Sequence, residues 1–207
     1  MQAAYPIPIP PTQIPVMTLR FTLLVVLILS ATAAWSCFGS HRDRYETAPY
    51  KVVSVDGPIE IRDYPALKLA TAKMEKAGSN GPNQSFGSLF GYISGKNETS
   101  TKIAMTTPVF MNSGQMSFVL PGKIAESGAP APTDSGVSLT AFSGGRFAVL
   151  RFSGERSDAS ETKALTQLRS WATSKGIEVD DAPVFAYYDP PFTLPKLRRN
   201  EVLLRIK

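Results

Sequence analysis

His41 and Cys37 are the only histidine and the only cysteine among 207 residues, and both precede the segments that read as folded. Relays of the Ser-His-Asp or Cys-His kind need a histidine beside the nucleophile, and His41 sits in a linker outside those segments. One cysteine makes neither an intrachain disulfide nor a thiolate-rich zinc or iron–sulfur site, and one histidine excludes paired-histidine zinc chemistry. The only adjacent acidic pair, Asp180-Asp181, precedes Pro183 in a turn-like stretch where solvated carboxylates are expected. There is no strand-borne GxGxxG and no Walker loop. These side chains point away from catalysis.

One segment stands out by shape rather than by reactive groups. In FGSLFGYISG (86–95), Phe86, Leu89, Phe90 and Ile93 recur at helical spacing, while Gly87, Gly91 and Gly95 recur every fourth residue. Each glycine costs a helix about 1 kcal/mol relative to alanine. The bare strip either lets the helix lie close on its own sheet or leaves a shallow apolar face for a flat ligand. On the second reading Tyr92, apolar in its ring and polar at its tip, lines the edge.

The elements that must position this helix lie within about 45–207. Ile59–Tyr64 alternates as a strand, Pro65-Ala66 turns, and Lys68–Met74 forms a second strand. A loop over 78–83 leads into the helix, with Asn83 or Ser85 available to cap it. Ile103–Met111 and Met116–Leu120 follow as strands. A second half repeats the order: Val137–Phe142, a Gly144-Gly145 turn, Arg146–Phe152, a helix over 158–175 ended by Gly176, then Val184–Tyr188 and Glu201–Ile206. In that second helix Ala164, Leu165, Leu168, Trp171 and Ala172 form the apolar stripe. Gly122–Gly136 reads as a linker. Two strand–strand–helix–strand–strand units suggest an internally duplicated α+β domain, with an irregular fold whose halves look alike as the alternative.

The start of the chain differs. Residues 1–16 form a proline-rich prefix, extended rather than packed, and translation is expected to begin at Met17. Residues 17–37 combine Arg20, the apolar run Phe21–Ala34 and a small-residue exit, the pattern of a secretory signal peptide. An uncleaved membrane anchor is the alternative. Cys37 stands where a bacterial lipoprotein carries its lipid, or else marks the edge of the cleavage region. Either way residues 38–207 are expected as one exported domain, in the periplasm or held at an envelope membrane.

Composition fits one packed domain: 43% of residues are apolar, 19% are charged, and the formal net charge is +5. The basic residues are scattered apart from Lys196, Arg198, Arg199, Arg205 and Lys207, and no interleaved aromatic platform suggests nucleic-acid binding. Asn83-Gln84-Ser85 and Asn97-Glu98-Thr99 match the glycosylation acceptor pattern, a short one that arises often by chance.

Four blocks carry a family resemblance: Tyr50-Lys51-Val52-Val53, Ile59–Tyr64 (IEIRDY), Lys102–Val109 (KIAMTTPV), and Tyr188–Phe192 (YDPPF) with Arg198–Leu204 (RRNEVLL). In this order they resemble the SOUL haem-binding family across the whole domain. The resemblance implies a distorted antiparallel β-barrel with two helices, built from two pseudo-symmetric ββαββ repeats. It also implies non-catalytic binding of haem or related tetrapyrroles on an apolar face around the first helix, formed by Phe86, Leu89, Phe90, Tyr92 and Ile93. Lys102, Arg198 and Arg199 are candidates to pair with the propionates.

Some family members are thought to use a histidine as the iron ligand, and none lies inside these repeats. Tyr92, Tyr187, Tyr188, Met105 and Met111 are the side chains able to ligate iron, with core packing as their other role. The expected protein is a monomeric carrier, scavenger or buffer of modest affinity, not an enzyme, with haem as ligand rather than catalytic cofactor. The alternatives are a module for another amphipathic ligand or lipid, or a structural envelope protein using the same face for a protein partner.

Overall fold

Phe142 and Tyr64 come from strands near opposite ends of one sheet, yet their rings meet edge to face with centroids 5.9 Å apart. The sheet must therefore curl. It is seen in a computed structural model that describes residues 44–74 and 81–207. The prefix, the leader with Cys37, His41 and part of the loop before the first helix lie outside the described residues.

The strands are β1 (Glu46–Thr47), β2 (Lys51–Asp56), β3 (Ile59–Tyr64), β4 (Leu67–Lys73), β5 (Thr106–Thr107), β6 (Val109–Asn112), β7 (Gln115–Val119), β8 (Val137–Phe142), β9 (Gly145–Phe152), β10 (Val184–Tyr187) and β11 (Asn200–Arg205). The helices are α1 (Gly81–Ile93), α2 (Gly122–Ser127) and α3 (Asp158–Ser174). Nine strands form one antiparallel sheet in the order β2-β3-β9-β11-β10-β6-β7-β4-β8, and β1 pairs with β5 in parallel beside it. With β2 set aside, this order reads the same from both ends if β3, β4, β6 and β7 are matched to β8, β9, β10 and β11.

Away from β2 and the middle of β8, which are exposed, the sheet is buried on both faces. The inner face packs Tyr64, Leu69, Phe110, Phe142, Phe147, Val149 and Leu203 into one cluster. Alternate residues of the same strands point outward. Ala148, Leu150, Val202 and Leu204 pack under α3, and Ala70, Ala72, Met116 and Phe118 pack under α1. All three clusters lie within His41–Lys207, which packs as one unit and so carries its own core.

The α3 helix forms for local reasons. Ser157 caps its start by accepting from the Ser160 N–H at 3.2 Å, and Ser160 Oγ accepts in return from the Ser157 N–H. Ala164, Leu168 and Ala172 are buried along its stripe, with Leu165 and Trp171 beside them. At its end Gly176 adopts φ +67°, and the N–H groups of Gly176 and Ile177 donate back to Thr173 O and Ala172 O, the Schellman arrangement.

The sheet differs from the expected barrel because it does not close. Strand β3 spends its second edge on β2, so β8 pairs only with β4 and keeps one edge free. Its inner residues Ser138 to Ala141 are exposed, which fits an edge strand. The strand expected over Ile103–Met111 is broken at Pro108, which has no N–H to give a ladder: Thr106 and Thr107 pair with β1, and Val109 onward pairs with β7 and β10. The linker Gly122–Gly136 contains α2, and the block around Lys51–Asp56 is a strand, neither of which periodicity announced. Among the described residues, no helix is long and apolar enough to cross a membrane.

Candidate functional site

Helix α1 divides its expected apolar stripe in two. Leu89 and Tyr92 are fully buried and Ile93 nearly so, all packed on the sheet under the helix. Tyr92 Oη donates to Pro130 O at 2.9 Å, and burial pushes its phenol up from the ordinary value. Ser85, considered as a cap, instead donates to Lys73 O at 2.8 Å and fixes the helix to β4. Leu89, Tyr92 and Ile93 thus anchor the helix and offer no surface to a ligand. What remains is Phe86 and Phe90, 42% and 52% exposed, their rings nearly parallel at 11° with centroids 6.1 Å apart. Phe86 stands edge-on to buried Phe118 at 5.4 Å, which ties the exposed pair to the core.

The glycine strip faces away from the sheet. A Cβ at Gly87 would meet nothing within 4 Å, and one at Gly91 would meet only the Lys96 side chain, 3.0 Å from its Cδ. The reading in which the glycines let the helix settle on its own sheet is therefore incorrect. They leave bare backbone beside the phenylalanine pair, and the Lys96 stem lies across part of it. Lys96 is a basic residue that periodicity missed, because its position depends on the chain reversing at Gly95, with Lys96 N–H bonded to Gly91 O.

The three expected basic partners are dispersed. Arg199 is committed to a buried cluster, and Arg198 donates from Nε to Thr193 O at 2.8 Å and from Nη2 to Pro191 O, bracing the loop before it. Lys102 is exposed and lines a shallow cleft with Ile103, Ile124, Lys123 and Glu46. Neither arginine has a hydrogen bond toward α1 among the described residues.

Three of the four blocks that carried the resemblance, all but Lys102–Val109, instead converge on Glu201. Arg62 donates to both of its oxygens at 2.7 and 3.0 Å, Arg199 donates to Oε1 at 2.7 and 2.9 Å, and Tyr188 Oη donates to Oε2 at 3.0 Å. Arg62 lies over the Tyr50 ring at 4.2 Å and Arg199 over the Tyr188 ring at 3.9 Å. Burial alone would raise the Glu201 carboxyl, but the two guanidiniums outweigh it and hold it below the usual range. This cluster ties β3 to β11, and to Tyr188 just past the end of β10, through satisfied charges. It is built to hold the sheet, and each side-chain nitrogen of Arg62 and each carboxylate oxygen of Glu201 has a partner within it.

The candidate iron ligands are equally engaged. Tyr187 donates to Glu161, and burial followed by that carboxylate pushes its phenol strongly up; burial does the same to Tyr188, with Glu201 adding to it. A tyrosine ligates iron as phenolate, so these environments oppose ligation. Met105 and Met111 are half-buried against the core under α1. Among the described residues no group of three or more His, Cys, Asp or Glu side chains is placed to hold a metal. Asn97 is not a glycosylation acceptor in this fold: it is 3% exposed and its carboxamide donates to Tyr92 O and Thr101 O.

The fold is an α+β domain with an open curled sheet and an exposed aromatic pair on its first helix. The chain belongs to the SOUL heme-binding protein family, whose match covers residues 45–205. No curated protein matches it. Among solved structures it is similar to a hydrolase from Listeria innocua, at 15% identity and TM-score 0.52, covering 75% of this chain and 94% of that one. It is also similar to the C-terminal domain of EcmrR, at 10% identity and TM-score 0.50, covering 76% and 98%. At such identities these two likenesses show the fold alone.

Proposed function

We propose that this protein binds haem or a related tetrapyrrole against Phe86, Phe90 and the open backbone at Gly87, as a non-catalytic carrier, scavenger or buffer. The stacked, half-exposed phenylalanine pair beside bare helix carries the reading, since a flat macrocycle needs an apolar floor without side chains in its way. Family membership supports the ligand class. The residues fit the macrocycle and its carboxylates, with Lys96 the nearest cation to the glycine strip. The candidate ligands are otherwise engaged: burial holds Tyr92, Tyr187 and Tyr188 as neutral phenols, and Met105 and Met111 pack against the core. Iron, when bound, would bring redox and Lewis-acid chemistry. On this reading the domain works in the cell envelope, a location supported only by the signal-like sequence of residues 17–37, and the symmetric strand order supports a duplicated unit.

Affinity then comes from apolar burial at about 25 cal/mol per Å², set against the cost of association, and falls in the micromolar range or weaker. Titrating the His41–Lys207 unit with haem and with metal-free protoporphyrin tests the account. Similar dissociation constants are expected. A large preference for the iron form would overturn it in favour of a ligating side chain.

A further inference from the structure

The loop between β10 and β11 holds three large apolar side chains in water: Phe192, Leu194 and Leu197 are 73%, 67% and 63% exposed. They are not the loose tip of a frayed loop. The N–H groups of Thr193, Leu197 and Arg198 donate to Pro190 O, Leu194 O and Pro195 O, and Gly154 N–H donates to Pro195 O from a neighbouring turn. The Arg198 guanidinium closes the loop from inside on Thr193 O and Pro191 O. Three prolines, Pro190, Pro191 and Pro195, restrict it further. The backbone is therefore fixed with its apolar groups outward.

Behind this tip lies a groove of about 610 Å³ lined by Arg151, Lys196, Leu197 and Arg198. Its one carboxylate, Glu60, is already paired with Arg62 Nε at 2.7 Å. A rigid apolar tip beside the cations Arg151 and Lys196 is complementary to an anionic lipid surface, with headgroup phosphates against the cations and the side chains in the acyl boundary. A free soluble anion would use the groove and leave the three apolar groups in water. We propose that the Pro190–Leu197 loop docks the domain on anionic bilayers. This is independent of the helix α1 site, which belongs to a different part of the sheet.

The test is co-sedimentation of the His41–Lys207 unit with vesicles of phosphatidylcholine, with and without phosphatidylserine. Binding to the anionic vesicles is expected, weakened by added salt. It should fall about tenfold in Leu194→Ser/Leu197→Ser and again in Arg151→Glu/Lys196→Glu. Circular dichroism checks that each variant is folded. Phe192→Trp gives a second readout that removes no apolar surface: its emission should shift to the blue on anionic vesicles and be quenched by brominated lipid. Equal partitioning of wild type and variants, no partitioning at all, or a dimer in sedimentation that the leucine variant dissolves would each overturn the proposal, the last by showing a second copy to be the occupant.

Discussion

Glu201 and Arg62 stand 139 positions apart in the chain and meet as a two-pronged ion pair closed to solvent. Arg199 grips the same carboxylate from the other side, so one negative charge lies between two guanidiniums. Replacing one member of a buried pair leaves charge uncompensated, at a cost of about 3–5 kcal/mol. Glu201→Gln should lower unfolding free energy by that order in urea titration. A loss under about 1 kcal/mol would show the cluster to be solvated.

The same cluster fixes the acid limb of stability. The native Glu201 carboxyl titrates below its unfolded value of about 4.3, so its contribution is complete above that pH and is lost as pH falls through the native value. Unfolding free energy should therefore be level near neutrality and decline below about pH 4. Glu201→Gln should flatten that decline, which denaturant titrations at several pH values would read.

Helix α1 separates stability from binding. Leu89→Ala removes a fully buried side chain and should cost about 2–5 kcal/mol, whereas Phe90→Ser, half in water, should cost well under that. Ligand affinity should reverse the ranking: Phe90→Ser loses it, and Leu89→Ala keeps it at temperatures where the variant is folded.

Gly87 gives a sharper case. Alanine there meets nothing within 4 Å, so Gly87→Ala should stabilise the helix by about 1 kcal/mol. Gly87→Leu would fill the space assigned to the macrocycle and should weaken binding while the fold persists. Thermal denaturation and ligand titration on the same two variants check both halves.

Strand bounds at Ile59–Tyr64 and Val137–Phe142 and the stripe of α3 were legible in the sequence because period and environment agree there. Arg62 was not. On β3 the alternation marks Ile59 and Ile61 as the buried side, yet Arg62 faces the inner core because Glu201 neutralises it from a strand far along the chain. Periodicity likewise put Phe86, Leu89, Phe90 and Ile93 on one side of α1, but cannot say where along that arc the sheet ends. The burial boundary runs between Leu89 and Phe90. Barrel closure also depends on pairing, and β2 took the edge of β3 that closure requires.

The central claim rests on two rings, and one titration addresses it. Haem is added to the His41–Lys207 unit and to its Phe90→Asp variant, following the Soret band against a protein control. The account predicts a saturable shift near one equivalent in the wild type that the variant loses while remaining folded. An undiminished shift in Phe90→Asp, or none in the wild type, would contradict it.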